Sequence, residues 1–119
     1  MLRGANSVDQ ELFRWHAEMC KVFSHPARLQ ILEALREQEI SVSGLAQRLG
    51  LSVGNLSQHV NMMKQRRVLL SRKQGNVVYY RLANPKILKA FDLIREILLE
   101  QIERDGVLVR HVQRARARL

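Results

Sequence analysis

The chain has 119 residues, 46% of them hydrophobic, with 20 Lys/Arg against 11 Asp/Glu (net charge +9) and a single cysteine, Cys20. That length suits one domain with its own core, one cysteine excludes an intrachain disulfide and fits a reducing, cytoplasmic setting, no apolar run approaches a membrane span, and MLRGANSVDQ lacks the apolar segment of a secretory signal. There is no Gly-rich phosphate loop, nucleophile elbow or HExxH motif, and Glu33, Glu37 and Glu39 read as a solvated helix face and its end, so no enzyme is expected.

Residues 8–23 place Val8, Leu12, Trp15, His16, Met19 and Phe23 at helical spacing, predicting a first amphipathic helix. It stops at Ser24-His25-Pro26. Proline cannot continue a helix but suits the first position of a new one, where its missing N–H loses nothing. His25 is therefore expected at a helix boundary, and the second helix runs through Leu29, Ile31, Leu32 and Leu35. A short helix over about 43–49 turns Leu45, Ala46 and Leu49 inward, Gly50 is a left-handed stop, and Ser52 can cap the next helix. Leu56, Val60 and Met63 repeat on the inner face of that fourth helix. Two helices joined by a short Gly-containing turn read as a helix-turn-helix.

Residues 68–72 and 77–82 are rich in β-branched and aromatic residues and flank Lys73-Gln74-Gly75-Asn76, a β-hairpin pattern. Pro85 opens a last long helix carrying Ile87, Phe91, Ile94, Leu98 and Ile102 in one stripe, widened by Leu88 and Leu99. That is more apolar surface than a terminal helix of a small domain needs. The tail spaces Arg110, Arg114 and Arg118 four apart, which gives either a helix with a basic stripe or a disordered end. The predicted architecture is mainly α with a small β-hairpin, a winged helix-turn-helix in the order α-α-α-α-β-β-α, with residues 1–109 as the domain and 110–119 as a basic tail.

The charge is confined. Residues 40–91 hold nine Lys/Arg (Arg48, Lys64, Arg66, Arg67, Arg72, Lys73, Arg81, Lys86, Lys89) and no Asp or Glu, while the flanking segments cancel. A field of one sign in one segment reads either as a solvated basic face or as a surface for a polyanion, and an acid-free block of this length favours nucleic acid. The major groove admits one α-helix, whose N-terminal residues reach base edges. On the outer face of the fourth helix stand Ser52, Val53, Asn55, Ser57, Gln58 and His59. Asn and Gln can pair with adenine, Ser donates or accepts, and Val can touch a thymine methyl. Gly54 permits close backbone approach to DNA or, alternatively, tight packing on the preceding helix. His59 is read as a phosphate contact or a local structural bond. Lys64, Arg66, Arg67 and Arg72 are candidate phosphate anchors, and Arg72 and Lys73 flank a hairpin tip of Gln74, Gly75 and Asn76 suited to phosphates or the minor groove. Tyr79 and Tyr80 face opposite ways on their strand, one toward the core and one free to bond a phosphate.

FSHPARLQILEAL at 23–35, SVSGLAQRLGLSVGNLSQHV at 41–60 and the wing ending NVVYYRL resemble the ArsR/SmtB family of small dimeric bacterial repressors, over roughly residues 9–102. The SHPARLQIL stretch is the more specific part, since generic winged helices lack it. The resemblance implies a homodimer through the first and last helices, with Leu12, Trp15 and Met19 and with Ile87, Phe91, Ile94 and Leu98 as interface candidates. It implies an inverted-repeat operator in double-stranded DNA and release on sensing an effector, which the sequence leaves unidentified. The family's metal-site patterns are not matched. Clustered cysteines near the DNA-binding helices are absent, and of the pattern Asp-x-His followed by His-x-x-Glu only Asp92 is present, with Ile94, Asp105 and Leu108 in the other places. The two-cysteine persulfide sensor is likewise absent, and no cofactor is expected. Three readings stay open for Cys20, four residues after His16: half of a zinc-type site completed by a partner or His111, a redox-sensitive thiol, or plain packing beside a core histidine. Two other functions compete: a winged helix used as a protein-interaction module, and an architectural or RNA-binding protein that works through its basic tail.

Overall fold

The helices of this chain start and stop at their capping residues. The computed structural model describes residues 7–106 and 109–117. They fall into two compact units, one ending at Pro85 and one starting at Lys86. The first contains α1 (Ser7–Cys20), a 3-10 turn (Lys21–Phe23), α2 (Pro26–Ala34), β1 (Ile40–Ser41), α3 (Val42–Leu49), α4 (Val53–Gln65), β2 (Leu69–Gln74) and β3 (Val77–Leu82). The second contains α5 (Ile87–Asp105) and α6 (Val109–Ala117). No helix of the described residues is long and apolar enough to cross a membrane.

His25 is the N-cap of α2, where its Nδ1 accepts the Ala27 N–H at 3.1 Å, and Pro26 occupies the first turn. Ser41 caps α3 by accepting the Gly44 N–H at 3.1 Å. A Cβ on Gly44 would stand only 3.0 Å from that Ser41 oxygen, so this cap favours glycine. α3 ends on Gly50 at φ 69°, and Ser52 then caps α4 by accepting the Asn55 N–H at 3.1 Å. The end of α4 has the geometry of a Schellman stop: the Val68 N–H donates to the Met63 carbonyl and the Arg67 N–H to the Lys64 carbonyl, both at 2.9 Å. The left-handed position there, usually glycine, is Arg67 at φ 62°.

Val22, Ile31, Leu32, Leu45, Leu56, Val60, Met63 and Leu69 are fully buried and form the heart of the first unit, with Ala27, Leu35, Ala46, Val68 and Tyr80 around them. Each fully buried aliphatic side chain of this kind contributes about 1.5–3 kcal/mol relative to exposure. Leu29 and Leu49, expected inward, are half-buried. The sheet is antiparallel in the order β1-β3-β2. It has one strand more than expected: β1 pairs Ile40 with Tyr80 and Ser41 with Tyr79. Two residues carry no readable alternation, and only β3 makes them a strand.

The hairpin is also tighter than KQGN implied. Gln74 pairs with Val77 and Lys73 with Val78, so the turn is Gly75-Asn76 alone, with Gly75 at φ 62°. Lys73 and Gln74 are therefore strand residues and not part of a loop.

No residue of α1 is buried, and Leu12, Trp15 and Met19 lie exposed along with Val8 and Phe13. On α5, Ile94 and Leu98 are more than half exposed, as are Leu93 and Ile97. Phe91, also an interface candidate, is 3% exposed in the single chain, with the Arg95 guanidinium 4.4 Å above its ring. Ile87 is half-buried. The tail is helical over its described part. Arg118 and the side chain of His111 lie outside the described residues.

Candidate nucleic-acid interface

α4 is pinned from behind by Leu56, Val60 and Met63, all 0% exposed. That fixes which face is outward. Ser52, Val53, Gly54, Asn55 and Gln58 are exposed, and Ser57 and His59 are half-buried. A Cβ built on Gly54 meets nothing within 4 Å, so packing does not require glycine there and the backbone stays approachable. Val53 and Ser57 line a depression of about 400 Å³ together with Val42, Ser43, Asn76, Val77, Val78 and Tyr80. The leading turn of α4 and the tip of the hairpin therefore border one concavity, though 20 or so residues separate them in sequence.

The predicted phosphate anchors divide into two groups. Lys64, Arg67 and Lys73 are exposed and make no ion pair among the described residues. Arg66 and Arg72 are engaged. Arg66 donates through Nε to the Glu18 carbonyl at 3.1 Å and through Nη2 to the Glu18 carboxylate at 3.0 Å, tying the end of α4 to α1. The other Glu18 oxygen accepts from Lys21 at 3.0 Å. Lys21 foremost, then Arg66, hold the Glu18 carboxyl below its ordinary range.

Arg72 donates through Nε to both Glu39 oxygens at 2.8 and 2.9 Å and through Nη1 to Gln74 at 2.8 Å, and its guanidinium lies 4.5 Å over the Tyr79 ring. The hydrogen bond from Arg72 is the main cause lowering the Glu39 carboxyl and, reciprocally, of the upward shift of Arg72. One of the hairpin's cations, Arg72, is thus partly neutralised by an acid from the loop before β1. Tyr80 is the core tyrosine and burial raises its hydroxyl; Tyr79 is half-buried under Arg72.

His59 makes a structural bond, though to a residue distant in sequence. Its Nδ1 accepts from Arg28 Nε at 3.4 Å, and its ring lies 4.5 Å from that of His25, tilted by 51°. Burial first, then His25 and Arg28, lower its pKa. Arg28 also donates to the Lys21 carbonyl at 2.7 Å. His25 and Arg28 were not among the expected interface residues. Contact across 31 residues leaves no trace in periodicity or charge count.

Cys20 and His16 are both exposed in the single chain, so neither packs in the core of the protomer. Among the described residues no group of three or more His, Cys, Asp or Glu side chains is placed to hold a metal ion.

Residues 25–69 match the family model described as bacterial regulatory protein, arsR family. An uncharacterized HTH-type transcriptional regulator of Mycobacterium tuberculosis, Rv0081, is 36% identical over 90 residues, covering 75% of this chain and 79% of that protein. The crystal structure of Rv0081 superimposes with a TM-score of 0.72 at 33% identity, covering 80% of this chain and 96% of that one. A solution structure from Mycobacterium bovis, Mb0332, described as a homodimeric winged helix-turn-helix DNA-binding domain and possible ArsR-family regulator, gives a TM-score of 0.76 at 26% identity over 87% of this chain and 95% of that one. The transcriptional repressor BigR of Xylella fastidiosa gives 0.66 at 27% identity, over 74% of this chain and 90% of that one.

Proposed function

Because the chain belongs to the ArsR family of bacterial regulatory proteins and is a DNA-binding transcriptional regulator, not an enzyme, we propose that it is a cytoplasmic, sequence-specific repressor that binds an inverted-repeat operator as a homodimer. The observation that carries this reading is the build of α4: a back of three fully buried apolar residues and a leading face, Ser52 to Gln58, that is acid-free and largely exposed. In this reading Asn55 and Gln58 meet adenine edges, Ser52 and Ser57 donate or accept, Val53 touches a thymine methyl, and the open surface at Gly54 lets the backbone come close. Lys64, Arg67 and Lys73 hold phosphates, with Arg66 and Arg72 available when their carboxylate partners yield. Gln74 and Asn76 extend the contact from the wing.

The dimer reading is supported by Leu12, Trp15 and Met19 on α1 and Ile94 and Leu98 on α5, apolar side chains that stay 42–60% exposed. Paired recognition helices would address half-sites about one helical turn apart, roughly 34–36 Å. An effector that alters the dimer would move those helices out of register with the grooves and release the DNA.

The test is a gel-shift titration on the protein's own upstream DNA and on a scrambled duplex. Gln58→Ala is expected to weaken upstream binding by about 1–3 kcal/mol and scrambled binding far less. Equal losses on both overturn base reading by α4. Repeating the titration with Zn, Ni, Cd, As(III), peroxide and a persulfide donor, for wild type and Cys20→Ser, identifies an effector class and whether the thiol takes part.

A further inference from the structure

We propose that His25, Arg28 and His59 form a seat for one phosphate of the DNA backbone, with both imidazoles presented as neutral N–H donors; the proposal rests on the DNA-binding reading above. Each histidine uses Nδ1 as an acceptor, His25 from the Ala27 N–H at 3.1 Å and His59 from Arg28 Nε at 3.4 Å. A neutral imidazole that accepts at one nitrogen carries its proton on the other. Both rings are thereby fixed in the tautomer with the proton on Nε2. Neither Nε2 has a hydrogen-bond partner among the described residues; His25 is exposed, and half-buried His59 has no buried side-chain nitrogen left unpartnered, so its Nε2 reaches solvent. The ring centroids are 4.5 Å apart. At that spacing, with N–H···O bonds of about 2.9 Å, two donors can serve different oxygens of one phosphate.

Arg28 supplies the charge. Its Nη1 is held by the Lys21 carbonyl and its Nε by His59, which leaves Nη2 for a ligand. Among the described residues no carboxylate acts on His59, whose surroundings, burial first and then His25 and Arg28, disfavour a charged ring. The seat joins the start of α2 to α4 one residue beyond Gln58, beside the proposed reading face. Phosphate contacts so placed set the register of a recognition helix without carrying sequence information.

The experiment is a fluorescence-anisotropy titration of the full chain on the upstream DNA and on a mixed-sequence duplex, across a series of salt concentrations. His59→Asn keeps an acceptor for Arg28 and removes the Nε2 donor, His59→Gln restores a donor near Nε2, and His25→Asn keeps a good N-cap while removing the second donor. His59→Asn and His25→Asn are each expected to weaken binding about tenfold, equally on both duplexes and with an unchanged salt slope, and His59→Gln to recover most of the loss. A loss confined to upstream DNA overturns the seat in favour of base contact. A slope reduced by about 0.9 per protomer means that an imidazolium is the ligand, and overturns the neutral-donor assignment. Unchanged affinity in both Asn variants also overturns it. Thermal melting of each variant checks folding, and if His59→Asn does not fold, His25→Asn decides. Wild type failing to bind either duplex refutes the DNA-binding reading itself, whereas wild-type binding with unaffected variants refutes the seat alone.

Discussion

Arg67→Gly is expected to make the protein more stable and a poorer DNA binder. Arg67 sits at φ 62° in the stop that ends α4, a position whose two backbone hydrogen bonds do not depend on its side chain. Holding a non-glycine residue left-handed costs about 1–2 kcal/mol. Glycine's greater freedom in the unfolded chain returns about 0.5–1 kcal/mol of that. The net gain is about 0.5–1 kcal/mol, a rise in Tm of roughly 2–5 °C for a domain of this size. The exposed guanidinium has no partner among the described residues to lose. If it grips a phosphate, its removal shortens the slope of log K against log salt by about 0.9 per protomer. Thermal melting by circular dichroism and anisotropy titrations at several salt concentrations measure the two effects, with Arg67→Lys as the control that retains both charge and strain. A lower Tm for the glycine variant would show that the arginine side chain holds the fold, which refutes the strain argument. An unchanged slope would refute the phosphate role.

Glu39→Gln frees Arg72, so the salt slope should steepen by about 0.9 per protomer and low-salt affinity should rise; no change in either means that Arg72 does not face DNA. Glu18 and Glu39 are held below the ordinary carboxylate range, so their contribution to stability is complete above that range and is lost as pH falls through the lowered values. Melting curves should therefore show an acid limb that Glu18→Gln and Glu39→Gln each flatten. His59 is shifted the same way, so its neutral form stabilises the fold fully above the ordinary histidine value near 6.5 and that contribution declines as pH falls toward the lowered one; His59→Gln should abolish the decline. Leu98→Glu should convert the proposed dimer to monomer in sedimentation velocity at micromolar concentration; a wild type that is itself monomeric refutes the dimer, and a variant that stays dimeric places the interface elsewhere.

The fold was legible where it is written locally. Pro26, Gly50 and Ser52 mark helix boundaries through the φ of one residue or the reach of one side chain, and all three serve as the sequence alone indicates. The apolar repeat Leu56, Val60, Met63 fixes the orientation of α4 for the same reason. What escaped depends on partners. β1 is two residues long and exists because Tyr79 and Tyr80 pair with it. Lys73 and Gln74 look like turn residues by composition, yet register with Val78 and Val77 extends the strand through them. Phe91 shares one stripe with Ile94 and Leu98, but burial separates them: helical spacing gives a direction around the axis and not the position along it at which cover ends.

The charge pattern was legible in sum and not in detail. An acid-free block of nine cations is real, but acids from outside it reach in: Glu18 takes Arg66 from 48 residues upstream, and Glu39 takes Arg72 from 33 upstream. Half-exposed pairs of this kind are individually weak, so they lower the resting field without forbidding phosphate contact. The salt slope of wild-type binding should then reflect Lys64, Arg67, Lys73 and Arg28 more than the paired arginines. Neutralising both carboxylates, as Glu18→Gln with Glu39→Gln, separates two cases. If the slope grows by about 1.8 per protomer, both arginines become phosphate ligands once released, and the acids act as a brake on non-specific binding. If it stays constant, Arg66 and Arg72 are structural ties between elements, and the block's excess charge attracts DNA at a distance without touching it.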